Sequence, residues 1–138
     1  MKKIYIKLVL ILLFSQGIKA QTTSNCEFVY KLETIASPDE TSNADKFVTL
    51  NWDFTQVGSK NKNIKIEIIP ILDCYKNENA KHYKETLFLT IDGKLNTIKG
   101  SKVFKHIEMM SKCFKYRTLI TSNSCEKSSD WNYYSFIN

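Results

Sequence analysis

Three features of the sequence predict an all-β protein, an antiparallel β-sandwich of about seven or eight strands. Short runs alternate bulky and polar residues with a period of two. Clusters of turn formers separate them. No stretch carries apolar residues at the spacing of an amphipathic helix. A closed barrel is the competing arrangement for the same signals.

Residues 21–24 are polar and form a loose end. Residues 28–35 suit a first strand, and residues 36–45, ASPDETSNAD, read as a loop. FVTLNWDF follows, with Val48, Leu50, Trp52 and Phe54 on one face and Thr49, Asn51 and Asp53 on the other. That sharing of a face marks Trp52 as a core residue. VGSKNKN is the next turn. In IKIEIIPIL, Ile64, Ile66 and Ile68 point one way while Lys65 and Glu67 point the other. Pro70 has no N–H to donate, so pairing is expected to weaken there or lie at an edge. Residues 73–85 are polar, with room for a helical turn. TLFLTI (86–91) and KLNTI (94–98) flank Asp92-Gly93, a strong hairpin signal. Residues 102–108, 114–121 and 131–137 supply the remaining strands.

The chain opens MKKIYIKLVLILLFSQGIKAQ, with lysines first, an apolar run over residues 8–14, and a small residue at Ala20. This is the pattern of a secretory signal peptide at residues 1–20. The run is shorter than the ~20 apolar residues of a membrane span. Cutting after Ala20 leaves 118 of the 138 residues, a single domain over 21–138. It also removes Lys2, Lys3, Lys7 and Lys19, so the net charge falls from +6 to +2. The remaining lysines are dispersed, which argues against a nucleic-acid partner. With no second long apolar run, no membrane insertion is expected after cleavage. No N-x-S/T site occurs, and together with the leader this fits a bacterial exported protein.

VTLNW, IKIEI and FKYRTLI, the last followed by TSN and SSDW, resemble the second, third and sixth strands of a fibronectin type III domain and the approach to its seventh. An immunoglobulin-like sandwich is the looser form of the same likeness. The family usually has Tyr where Phe114 stands. The resemblance implies topology and not function.

Four cysteines, Cys26, Cys74, Cys113 and Cys125, in an exported chain predict two disulfides. No close Cys pair and no neighbouring His gives metal-ligand spacing, so no metal is expected. A strand over 114–121 advances ~3.3 Å per residue, which keeps Cys113 and Cys125 too far apart to pair. Two connectivities remain open on that ground. The fibronectin-like resemblance selects between them. It places the end of the third strand beside the start of the sixth and the N-terminus beside the loop after the sixth. That implies Cys74–Cys113 and Cys26–Cys125, one at each pole.

No serine-hydrolase, zinc-protease or phosphate-loop motif is present. His82 and His106, the latter read as mid-strand, belong to no metal or catalytic pattern. Asp53, Asp73, Asp92 and Asp130 each fit a plain role in a turn, loop or strand surface. No catalytic residues and no cofactors are expected. The sequence favours a non-enzymatic binding module, secreted or periplasmic, that recognises an extracellular protein or glycan through loops at one pole. The alternatives are an enzyme inhibitor and a small hydrolase built on loop carboxylates. Residues 57–62 and 123–130 are the candidate loops, and Lys60, Lys62, Asn123, Asp130, Trp131 and Tyr133 are the candidate contact residues.

Overall fold

The structure, a computed structural model, describes residues 26–38, 42, 43, 45–58, 60–74, 80–92, 95–123 and 125–137. The expected leader and the loose end after it lie outside these residues.

Eight strands and two helical turns follow one another: β1 (Lys31–Ala36), β2 (Phe47–Asp53), β3 (Lys62–Ile71), β4 (Leu87–Ile91), α1 (Leu95–Ile98), β5 (Lys99–Lys105), α2 (His106–Met109), β6 (Cys113–Ser122), β7 (Cys125–Ser128) and β8 (Asn132–Ser135). One sheet has the order β1-β2-β5 and the other β4-β3-β6-β7, with β8 pairing the first half of β6. Every pairing is antiparallel. The longest ladder runs from Lys62↔Ser122 to Ile71↔Cys113.

The alternating residues of each sheet supply the core between them. Val48 and Leu50 of β2 and Phe104 of β5 meet Ile64, Ile66 and Ile68 of β3 and Phe114, Tyr116 and Ile120 of β6. Each such side chain contributes roughly 1.5–3 kcal/mol by leaving water. Trp52 packs at the rim of this core, and its Nε1 donates to the Thr97 carbonyl at 2.7 Å. Phe114 is the hub of an aromatic cluster. Its ring centroid lies 5.9 Å from Phe104, 5.8 Å from Tyr116, 5.5 Å from Tyr134 and 5.8 Å from Phe136.

Disulfides close both ends. Cys26–Cys125 has a Cα separation of 6.0 Å and Cys74–Cys113 one of 5.5 Å. The first staples the segment entering β1 to the β6–β7 hairpin. The second joins the end of β3 to the start of β6. The ten residues of β6 put the two bonds roughly 30 Å apart.

Several expectations are corrected. Of the segment 94–98, the described residues 95–98 do not return beside β4. Thr97 Oγ1 donates to Asp92 Oδ1 at 2.6 Å, Leu95–Ile98 forms a helical turn, and the chain crosses to the other sheet, where β5 pairs with β2. The pairing of β5 with β2 outweighs a local hairpin. The strand expected over 102–108 starts at Lys99 and ends at Lys105. His106 is therefore not mid-strand. It opens α2, its Nδ1 lies 2.7 Å from the Asn43 carbonyl oxygen, and its ring stacks on Phe136. Phe28 and Tyr30 precede β1 and pack on the core instead of pairing. At Pro70 the expectation holds in part: β4 pairing ends at Ile68, while β6 pairing continues to Ile71.

One buried polar atom stands out. Thr118 is 1% exposed and its Oγ1 has no hydrogen-bond partner among the described residues. An unsatisfied buried hydroxyl costs about 1–3 kcal/mol. Thr118→Val is therefore expected to raise the urea midpoint by an amount equivalent to roughly 1 kcal/mol, with an unchanged m value.

Candidate functional site

The outer face of the three-stranded sheet is uncovered at one tip, and its residues line up in rows set by register. Lys31, Asp53 and Lys99 form the outermost row, one each from β1, β2 and β5. Glu33, Asn51 and Ser101 form the next. Alternation along β2 turns Asn51 and Asp53 outward because Leu50 is committed to the core.

This end of the sheet is held in place from behind. The Phe54 amide donates to the Ile98 carbonyl at 2.8 Å, and the Trp52 indole holds Thr97. Both fix the point at which β5 begins, and so bring Lys99 opposite Asp53. Lys99 Nζ lies 3.1 Å from Asp53 Oδ2, and Lys31 Nζ lies 3.0 Å from Glu33 Oε2. Asp53 Oδ1 accepts from the Thr55 hydroxyl at 2.6 Å and from the Thr55 amide at 3.0 Å. These bonds, the Thr55 hydroxyl foremost and then its amide and Lys99, lower the Asp53 carboxyl to about 2.

Two shallow clefts meet here. One of 390 Å³ is lined by Glu33, Asn51, Trp52 and Ser101, and one of 550 Å³ by Val29, Tyr30, Thr55 and Gln56. Lys31, Asp53 and Lys99 border both.

The candidate contact residues divide into two groups. Lys60, Lys62 and Asn123 lie at the same tip, at the far end of the β3–β6 ladder from Cys113. Lys62 Nζ donates to the Val57 carbonyl at 2.7 Å, and with Asn123 it borders a 410 Å³ cleft. Trp131 and Tyr133 sit elsewhere, on the outer face of the larger sheet, where Tyr133 faces Lys115 in register. The Trp131 ring lies 4.6 Å from Lys115 Nζ and 4.3 Å from Arg117 Cζ. Arg117 Nε donates to Glu67 Oε2 at 2.6 Å. Ile69, Ile71, Ala80 and Cys113 form a small apolar cluster beside these aromatics. Trp131, just ahead of β8, and Tyr133 within it are half-buried against this outer face. Asp130 is exposed just ahead of them.

Half of the candidate segment 123–130 is strand and not loop. Cys125–Ser128 pairs back onto β6, anchored by the Cys26 bond and by Ser129, whose hydroxyl accepts the Thr118 amide at 3.0 Å.

Lys31, Glu33, Asn51, Lys99 and Ser101 did not emerge from the sequence as site residues. The period-two pattern does place Asn51 beside Asp53 on one face. The missing signal was the pairing of β5 with β2.

Among the described residues no three His, Cys, Asp or Glu side chains converge in a metal-binding group, and no helix is long and apolar enough to cross a membrane. No protein-family model, curated protein or solved structure matches the chain.

The charge state of Asp53 is directly measurable. A carbon-detected NMR titration is expected to give its carboxyl a midpoint near 2, and Thr55→Val to move it up toward 3.8. Because the folded value is the depressed one, ionised Asp53 stabilises the fold fully above the unfolded value, and that contribution is lost as pH falls through about 2. A midpoint near 3.8 in the unaltered protein would show that Thr55 and Lys99 do not hold the carboxylate.

Proposed function

We propose that the protein is an exported, non-enzymatic binding module that recognises a glycan or protein through the tip carrying Lys31, Asp53 and Lys99. The single observation that carries this reading is that two adjoining clefts share those three charged residues. A covalently clamped tip loses little conformational freedom on binding. The lining is dominated by carboxylates, amides, hydroxyls and ammonium groups, with Trp52 and Tyr30 at its margins. That chemistry suits the hydroxyls and apolar ring faces of a sugar, so a glycan is the preferred ligand.

A hydrolase on this site would need a carboxyl able to give a proton near neutral pH. Asp53, held ionised down to about 2, is the opposite of that. Two disulfides mark an oxidising, extracellular-type environment. The leader pattern over residues 1–20 supports delivery by signal-peptide-directed export to the periplasm or beyond. The direct pairing of β3 with β6 supports the fibronectin type III resemblance.

The test is an NMR titration of the 21–138 chain with neutral, acidic and amino-sugar oligosaccharides, followed by peptide and protein panels. Shifts confined to Lys31, Asn51, Asp53, Lys99 and Ser101 are expected. Asn51→Ala is expected to weaken binding about tenfold, the equivalent of one good hydrogen bond. A ligand that shifts only residues away from this tip would reject the proposed surface.

A further inference from the structure

The two sheets have four edges between them, and two of these are guarded by charge and a third by its short strands. β1 carries Lys31 and Glu33, and β5 carries Lys99, Lys102 and Lys105. The third edge is split between two four-residue strands, β7 with Glu126 and Lys127, and β8. The β4 edge has no such guard. Its residues are Leu-Phe-Leu-Thr-Ile, and among the described residues only one side of the strand is paired, with β3. Leu87 is 42% exposed and Phe88 is 51% exposed. An unguarded apolar edge strand is a template for a further strand.

We infer that β4 is a docking edge for a second copy of this chain, paired antiparallel across a two-fold axis through Phe88. Four of the five distinct pairs around β4 are complementary in that register, the exception being Glu85 opposite the partner's Ile91. Phe88 meets Phe88 of the partner subunit. Leu87 lies opposite the partner's Leu89, and Thr86 opposite the partner's Thr90. At the ends, exposed Lys84 lies opposite the partner's Asp92, so each end of the ladder closes on an opposite-charge pair. Aromatic, threonine and opposite-charge pairs are the cross-strand combinations that stabilise antiparallel sheets. The β3 neighbours fit as well. Lys65 already lies 5.8 Å from the Phe88 ring centroid, so a cation flanks the aromatic pair on each copy. The result is one continuous sheet running through both copies, with the Lys31–Asp53–Lys99 tips on separate sheets left open. This interface stands apart from the ligand-binding reading and does not depend on it.

Sedimentation velocity on the 21–138 chain from micromolar to millimolar concentration is the first test. A monomer–dimer equilibrium is expected. Phe88→Lys places two ammonium groups on the axis, and Lys84→Glu sets a carboxylate against the partner's Asp92. Each is expected to weaken the dimer at least about tenfold, because like charges directly opposed destabilise a sheet. Directly paired Cα atoms lie about 4.5–5.5 Å apart, within disulfide reach. Phe88→Cys is therefore expected to yield a covalent dimer on oxidation with copper phenanthroline. Thr90→Cys, opposite the partner's Thr86, is expected to yield none. Both positions are exposed, and near-UV circular dichroism confirms that each variant is folded; were the cysteine variants to misfold, the two charge variants decide. A single monomeric species at all concentrations overturns the inference, as does a dimer insensitive to Phe88→Lys and Lys84→Glu. Cross-linking by Thr90→Cys but not by Phe88→Cys overturns the register.

Discussion

Phe114→Ala is expected to destabilise the protein by about 3–5 kcal/mol, read from chemical denaturation. Phe114 is fully buried, and four other rings pack around it from β5, β6 and the β8 end of the chain. Truncation leaves a cavity that no single neighbour can fill, since Phe104 and Tyr116 are themselves fixed on paired strands. A small domain has only about 5–15 kcal/mol of net stability, so this one change removes a large share of it. Phe114→Leu is expected to cost clearly less, because it retains most of the apolar volume. Equal losses for the two variants would show that the ring cluster does not organise the core.

The second large effect comes from the staples. Removing Cys26–Cys125 by a double Cys→Ala change is expected to cost about 4.7 kcal/mol, and removing Cys74–Cys113 about 4 kcal/mol, by the dependence of denatured-chain entropy on loop length. The difference follows from sequence separations of 99 and 39 residues. The two losses should also differ in place. Without Cys26–Cys125, amide exchange is expected to accelerate first around residues 26–30 and in β7, because Phe28 and Tyr30 are held to the core from outside any strand. Without Cys74–Cys113, it is expected to accelerate around residues 80–83, where a lone bridge joins His82 to Ile71. Thermal unfolding and hydrogen exchange on the two double variants check both statements. Uniform acceleration in both would mean that the bonds do not act locally.

Much of this architecture is legible in residue order because it rests on period-two patterns. Ile64, Ile66 and Ile68 announce an inner face, and the structure buries all three. The same logic excludes one cysteine pairing, because an extended β6 separates Cys113 from Cys125; the choice between the other two comes from the fibronectin-like resemblance. The misread parts are those where a tertiary partner overrides a local preference. Asp92-Gly93 is a hairpin dipeptide, yet Asp92 holds Thr97 and the chain changes sheets. That one crossing hid β5 as the neighbour of β2, and with it the rows that assemble Lys31, Asp53 and Lys99. Trp131 illustrates a different limit. Its aromatic character suggested a ligand surface, but Lys115 and Arg117 come from another strand, and only their register shows that they occupy the ring.

β6 is a rod tied at each end to a different part of the chain. A non-reducing peptide map of the protein tests this most directly. It should recover two cross-linked peptides, one joining Cys26 to Cys125 and the other Cys74 to Cys113, with no reactive thiol. A peptide joining Cys113 to Cys125, or thiols that react with iodoacetamide before reduction, would contradict it.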